Sequence, residues 1–193
     1  MLASYQDLNS QLMTEGTVVV SQEDLPISSG DWETLSSLLD NQTYERVVQG
    51  DTDERTSVSV YRIKKAGDSH IRNQQIVDII NTPKIKSKLA GIMGVEDYKI
   101  DRCQCNLYYE GDFVGKHVDK ESCSNHTYAF MVFPCDEFEG GEFCVYNPEN
   151  SQPYVYKPEP QTLILTRCDL LHEVREITKG KRRAIVSFLQ LPH

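Results

Sequence analysis

His117-Val-Asp119 sets an imidazole and a carboxylate two residues apart, and on extended backbone such side chains leave the same face and can converge on one ion. A non-haem Fe(II) site needs two neutral imidazoles and one carboxylate on one face of an octahedron, with the remaining positions open. A second imidazole is available in Leu170-Leu-His172-Glu-Val174. The first pair alone says little. With five His and 14 Asp in 193 residues, a His-x-Asp arises by accident about one time in three.

The pattern gains meaning from the residues beyond His172. Gly180-Lys-Arg182 comes ten residues later and leads into the apolar run Ala184-Ile-Val-Ser-Phe-Leu189. A cation there could hold the far carboxylate of a dicarboxylic cosubstrate, since the planar guanidinium fork matches a carboxylate in two hydrogen bonds. The competing reading is a solvated arginine in a basic turn. Arg183 has the opposite strand parity and is the fallback.

These residues need elements to position them, and the texture of the chain changes near residue 97. Before it, Leu2, Tyr5, Leu8 and Leu12 recur at helical spacing, as do Trp32, Leu35, Leu38 and Leu39 behind the capping candidates Ser29-Gly-Asp31. Thr17-Val-Val-Val20 is a short strand, and the alternation about Val58, Val60 and Arg62 is another, after the polar loop Gln49-Gly-Asp-Thr-Asp-Glu54. Ile76, Ile79 and Ile80 form one helical stripe. Pro83 can open a further helix through Ile85, Leu89 and Ile92 to Gly94. After it, strand-like runs cover 98–109, 127–133, 141–146, 153–156, 162–166 and 184–191, parted by Gly, Pro, Asn and Asp. The expected fold is mostly β with flanking helices (α+β), one domain over 1–193. Residues 1–96 are a helical and strand support region and 97–193 the metal-binding β core.

The stretches Leu107-Tyr-Tyr-Glu-Gly-Asp-Phe113, His117-Val-Asp119, Glu139-Gly-Gly-Glu142, Leu163-Ile-Leu-Thr166, His172-Glu-Val174 and Gly180-Lys-Arg182, in that order, resemble the prolyl-4-hydroxylase-like Fe(II)/2-oxoglutarate dioxygenases. The resemblance implies a double-stranded β-helix, or jelly-roll, core with the N-terminal helices packed outside. It implies Fe(II) held by His117, Asp119 and His172. Further implied are 2-oxoglutarate held through Arg182, with Tyr108 lining its pocket and Tyr128 adding a hydroxyl, and O2 as oxidant, with ascorbate a candidate accessory. Related halogenases have a small residue where Asp119 stands, so its carboxylate implies a hydroxylase. Where the family has a glycine turn, this chain has Glu159-Pro-Gln161. Implied substrates are a prolyl residue or other amino-acid side chain in a protein or peptide, or a free amino acid, hydroxylated at an unactivated C–H. The alternatives are a cupin-like or Zn-dependent metalloenzyme that does not use 2-oxoglutarate, and a non-catalytic binding domain.

The remaining features narrow this further. A net charge of -9 repels a phosphate backbone, so nucleic acid is not expected despite the basic run at Lys179, Lys181, Arg182 and Arg183. No signal peptide or membrane span is evident, which makes a cytoplasmic location the expectation and leaves the six cysteines reduced. Cys103-Gln-Cys105 lacks the second pair of a zinc site and is expected to be two small residues on one strand face. Asn41-Gln-Thr43 and Asn125-His-Thr127 match a glycosylation pattern relevant only to a secreted chain. Lys120 to His126 should border the entrance to the site, with His126 structural. Arg167 or Arg175 could meet a substrate carboxylate. Oligomeric state leaves no trace in the sequence.

Overall fold

The computed structural model describes residues 4–49, 55–134 and 136–192. Helix α1 (Tyr5–Glu15) begins after Ser4, whose hydroxyl accepts from the Asp7 N–H, and buries Leu8 and Leu12. Leu2 of the expected stripe lies outside the described residues. Strand β1 (Thr17–Val20) follows. Helix α2 (Ser29–Asp40) is capped one residue earlier than the sequence suggested, by Ser28, and buries Trp32, Leu35 and Leu39. Strands β2 (Glu45–Gln49) and β3 (Thr56–Lys64) pair antiparallel. Of the expected loop between them, Gln49 ends β2 and 50–54 lie outside the described residues. Helix α3 (Gln74–Ile80) and helix α4 (Pro83–Met93) match the two apolar stripes, with Pro83 in the first turn of α4 and Thr82 capping it.

The second half supplies β4 (Lys99–Tyr109), β5 (Phe113–His117), the one-turn helix α5 (Asp119–Ser122), β6 (Tyr128–Phe133), β7 (Phe138–Gly140) and β8 (Phe143–Tyr146). After these come β9 (Tyr154–Tyr156), β10 (Thr162–Arg167), β11 (Leu171–Val174) and β12 (Ile177–Gln190). The expected last strand is longer than its apolar run. It starts at Ile177, because the Gly180-Lys-Arg182 segment pairs with β4 on one side while β7 holds the other.

Among the described residues, twelve strands form one antiparallel sheet in the order β1-β10-β6-β12-β4-β3-β5-β11-β8-β9, with β2 beside β3 and β7 beside β12. The sheet is nearly closed on itself as a jelly roll, mostly β with helices packed outside. It also crosses residue 96, since β3 sits between β4 and β5. The two-residue period of the strands sorts their side chains into two layers. On β6, Tyr128, Phe130 and Val132 join the helix-side core with Trp32, Leu12 and Leu89. Ala129, Met131 and Phe133 turn into the barrel with Val58, Val60 and Phe143. Cys103 and Cys105 share the helix-side layer, fully buried, and burial pushes both thiols up to about 12. They are spacer residues of a strand face, as expected.

At the turn before β10, Gln161 adopts φ 60, alone among the described non-glycine residues. Its N–H is held by the Phe133 carbonyl at 2.8 Å, and its side chain meets Gln22. Local hydrogen bonds thus impose the left-handed conformation that a glycine would take at little cost. No helix among the described residues is long and apolar enough to cross a membrane.

Candidate metal centre and its cavity

β5 and β11 are neighbours, and His117 and His172 are directly paired across them. Their rings stand 4.3 Å apart, centroid to centroid. Asp119 is not extended, as the sequence suggested, but opens α5. The extended residue Val118 between them still turns its carboxylate to the side of His117. Asp119 Oδ1 lies 3.4 Å from His117 Nε2, and Asp119 Oδ2 lies 3.4 Å from His172 Nε2. Asp119 and His172 are buried and His117 is half-buried.

The tautomers follow from the partners. His117 Nδ1 is 2.8 Å from the Gly115 carbonyl and His172 Nδ1 is 2.9 Å from the Leu170 carbonyl. A carbonyl only accepts, so both Nδ1 atoms carry the proton and both neutral rings turn an Nε2 lone pair toward the carboxylate. Two lone pairs and two carboxylate oxygens facing one another call for a cation between them. This donor set suits a divalent metal with open positions. Without a cation, protons on the imidazoles take its place in the electrostatics. Burial works to raise the Asp119 carboxyl, yet the charges and hydrogen bonds of His172, His117 and Arg102 hold it below its usual value. Burial lowers His172 against the pull of Asp119, whereas at His117 the bond to Asp119 outweighs burial and raises it.

The triad opens into a cavity of about 590 Å³ inside the barrel, whose walls include Tyr108, Arg182, Phe143, Val58, Val60 and Met131. Arg182 is fully buried. Its guanidinium carbon lies 4.7 Å from the Tyr108 ring centroid and 5.1 Å from that of Phe133. None of its three nitrogens has a hydrogen-bond partner of ordinary geometry among the described residues. Burial draws its pKa below the usual arginine value, but an arginine keeps its proton under such strain. A buried cation whose donors are unused is expensive unless an anion meets it. Arg183, one residue on, is buried on the helix side of the sheet, away from the cavity, and is engaged by Asp136, Asp40 and the Ser36 carbonyl. Parity decides between the two arginines, and Arg182 is the one in the cavity.

Gly140 and Gly141 explain the Glu139-Gly-Gly-Glu142 stretch. Both have positive φ, and a Cβ on Gly141 would collide with Ile177 and stand 3.2 Å from Arg182 Cδ. Gly140 is the stricter position, since a Cβ there would collide with the Glu176 carbonyl oxygen.

Not every expected residue arrives. Tyr128 is turned to the helix-side core, away from the cavity; Ala129 and Met131 of the same strand line it instead. The expectation of a Tyr128 hydroxyl on the cosubstrate is corrected by this one-residue difference in strand parity. Arg167 is engaged with Asp169 at 2.8 Å and Arg175 lies 4.0 Å from Glu173, and neither lines the cavity. His126 is buried against Asp101, in keeping with a structural role. From the 120–126 segment, Glu121 and Ser122 line the cavity. Cavity residues that sequence reasoning passed over are Val58, Val60 and Arg62 on β3 and Arg102, Gln104 and Asn106 on β4. Counting back in twos from Tyr108 would have found the last three. A larger, more open concavity of about 910 Å³ lies over Phe113, Glu139, Lys157 and Arg175, but it holds none of the triad. Size does not choose the site; converging donors do.

Comparison with known proteins agrees with this geometry. Residues 103–190 match the family model described as the 2OG-Fe(II) oxygenase superfamily. A PKHD-type hydroxylase from Parvibaculum lavamentivorans is 29% identical over 93 residues, 46% of this chain and 42% of the relative, so the match spans less than half of that protein's length. The crystal structure of an oxidoreductase of the 2OG-Fe(II) oxygenase family from Burkholderia pseudomallei is 26% identical and superimposes with a TM-score of 0.85 over 97% of this chain and 91% of its own. A prolyl hydroxylase from Trichoplax adhaerens, solved with a peptide of hypoxia inducible factor, shares the fold at a TM-score of 0.70 and 14% identity, over 96% and 89% of the two chains. The matched segment, residues 103–190, carries all four of His117, Asp119, His172 and Arg182.

Proposed function

We propose that this chain, as a single domain, is an Fe(II)- and 2-oxoglutarate-dependent dioxygenase that hydroxylates an unactivated C–H of an amino-acid side chain, a prolyl residue or a free amino acid. The observation that carries the reading is the fully buried, unpaired Arg182 guanidinium in the same cavity as the imidazoles and carboxylate of His117, His172 and Asp119. A simple metallohydrolase has no use for a desolvated cation at that place.

In this reading His117, Asp119 and His172 hold the iron. When bound, iron and 2-oxoglutarate supply the oxidising power, with succinate and CO2 as the cosubstrate's products. The protein's part is binding, orientation and exclusion of water. The Gly115 and Leu170 carbonyls fix the imidazole tautomers. Arg182 pairs with the far carboxylate of 2-oxoglutarate. Tyr108 flanks that pair with its ring, and its hydroxyl is tied to Asn106 at 3.3 Å. Phe143, 5.3 Å from the His172 ring, and Met131 keep the wall apolar. Asp119 fills the position that a halide would need.

The test is Fe(II)-dependent formation of succinate from 2-oxoglutarate, measured with and without candidate peptides and amino acids. Succinate is expected. No binding of 2-oxoglutarate, with tight Zn2+ binding instead, would overturn the proposal.

A further inference from the structure

The cavity has a second cationic end. On β4 the side chains of Arg102, Gln104, Asn106 and Tyr108 succeed one another along its floor. Arg102 donates to Gln104 Oε1 from Nε at 3.1 Å and Nη2 at 2.7 Å, Gln104 donates to Asn106 at 2.8 Å, and Asn106 to the Tyr108 hydroxyl. In the β4–β12 register, Tyr108 faces Arg182 and Arg102 faces Phe188. Six residues of strand put their Cα positions about 20 Å apart. A five-carbon diacid reaching from Arg182 to the triad cannot also occupy the Arg102 end. That end is left for another molecule.

Arg102 is built in rather than splayed over the surface. Its guanidinium carbon lies 4.8 Å from the Phe188 ring centroid, and the same ring stacks on His126 at 5.0 Å. His126 is held in turn by Asp101 at 3.1 Å. Yet Arg102 makes no ion pair among the described residues, and its hydrogen bonds to Gln104 go to a neutral amide. It also feels the charges of Asp119 and Arg62. Beside the cavity a groove of about 310 Å³ shares Arg62, Arg102 and Gln104 with it and is completed by Lys64, Lys65 and Ala66. Among the described residues no acidic side chain lines it, on a chain of net charge -9, and the carboxylate of Glu45 approaches Arg62 only to 3.9 Å.

Resting on the proposed 2-oxoglutarate chemistry, we propose that Arg102, backed by Arg62 and Lys65, is the substrate anchor, and that the substrate carries a carboxylate within reach of the carbon to be hydroxylated. The Nη1–Nη2 edge of Arg102, beside its bonds to Gln104, meets that carboxylate on the side of the metal opposite Arg182. The carboxylate belongs either to a free amino acid or to an acidic side chain of a peptide.

The test is equilibrium binding by calorimetry to protein loaded with Mn(II) and 2-oxoglutarate, so that no turnover is read. One arm sets each free L-amino acid against its carboxamide. The other sets the peptide acetyl-Ala-Ala-Glu-Ala-Ala-amide against its Gln and phosphoserine counterparts. At least one acid should bind about 10- to 100-fold more tightly than its amide, and the arm in which it does so names the source. In Arg102→Gln the acid-to-amide ratio should collapse toward one, with Arg102→Lys in between, whereas Lys179→Ala on the outer surface should keep it. Equal binding of acids and amides, or an unchanged ratio in Arg102→Gln, would overturn the anchor. Tighter binding of the phosphoserine peptide would overturn the carboxylate class. Failure of the cosubstrate reading shows separately, as absence of succinate from the wild-type protein with iron.

Discussion

Arg182 and Tyr108 face each other across the β12–β4 register, with the guanidinium carbon 4.7 Å from the ring centroid. The ring contact orients the cation while none of its nitrogens makes a hydrogen bond of ordinary geometry among the described residues, so a buried charge is held ready for an anion.

Arg182→Met should therefore act in opposite directions on stability and on binding. Without ligand, losing an unpaired buried charge should raise the melting temperature, because its desolvation penalty disappears. Affinity for 2-oxoglutarate should fall about 100-fold, in line with a charge-assisted pair in a dry site. Thermal melts with and without 2-oxoglutarate check both: the wild type should gain stability from the ligand and the variant should not.

Asp119→Ala should remove most metal affinity and abolish succinate formation, since it takes the only carboxylate from the donor set. Substrate-coupled turnover at the wild-type rate would contradict the role given to Asp119.

Metal loading should also depend on pH. Each imidazole must give its Nε2 lone pair to the metal, so protons compete. Asp119 holds His117 above the ordinary imidazole value of 6.5. As pH falls, affinity should begin to drop above that value, with His117 protonating before His172, which burial lowers. Competition with a chromophoric chelator between about pH 5 and 8 reads the curve. A curve flat across this range would count against the assigned ligands.

Gly141→Ala should cost about 1–3 kcal/mol of stability from the positive φ alone and should weaken 2-oxoglutarate binding as well, by pressing on Ile177 and Arg182. Chemical denaturation and cosubstrate titration of one variant separate the two effects.

Asp112 offers a test away from the site. It is buried, accepts from Arg46, Ser57 and the Tyr109 N–H, and although burial opposes them these bonds keep its carboxyl below its usual value. A lowered carboxyl stabilises the fold fully above its unfolded value of about 3.9, and that contribution is lost as pH falls through the folded value. Asp112→Asn should cost about 1–3 kcal/mol at neutral pH, because Arg46 is left half exposed rather than buried. It should also flatten the acid limb of the stability curve below about pH 4. Urea unfolding from pH 2 to 7 measures both.

How much of this was legible in the sequence varied with the kind of signal. Apolar periodicity gave the helices at Tyr5, Trp32, Ile76 and Ile85 and most strands after residue 97, because both patterns are local. It did not give β2, β5, β7, β11 or the first part of β12, short or Gly-bearing stretches that become strand through pairing with their neighbours in the sheet. For the candidate site, the spacing of His117, Asp119, His172 and Arg182 was visible in the chain, and all four line one cavity. Tyr128 failed on parity: nothing within the run Tyr128–Phe133, buried on both faces, tells which set points inward. Arg62 and Arg102 were passed over for a different reason. An arginine in a strand looks like any solvated charge until the strands it pairs with are known.

The direct pairing of His117 with His172 has a mechanical meaning. These two residues form the join between β5 and β11, and the ladder slips register immediately beyond it, before Val174. An ion gripped from both strands at that point would rivet a weak joint, and its binding free energy would add to the work of prying the strands apart. Grip on the ion and slow amide exchange along β5 and β11 would then rise and fall together, so that the barrel loosens at this rivet first when the ion is withdrawn.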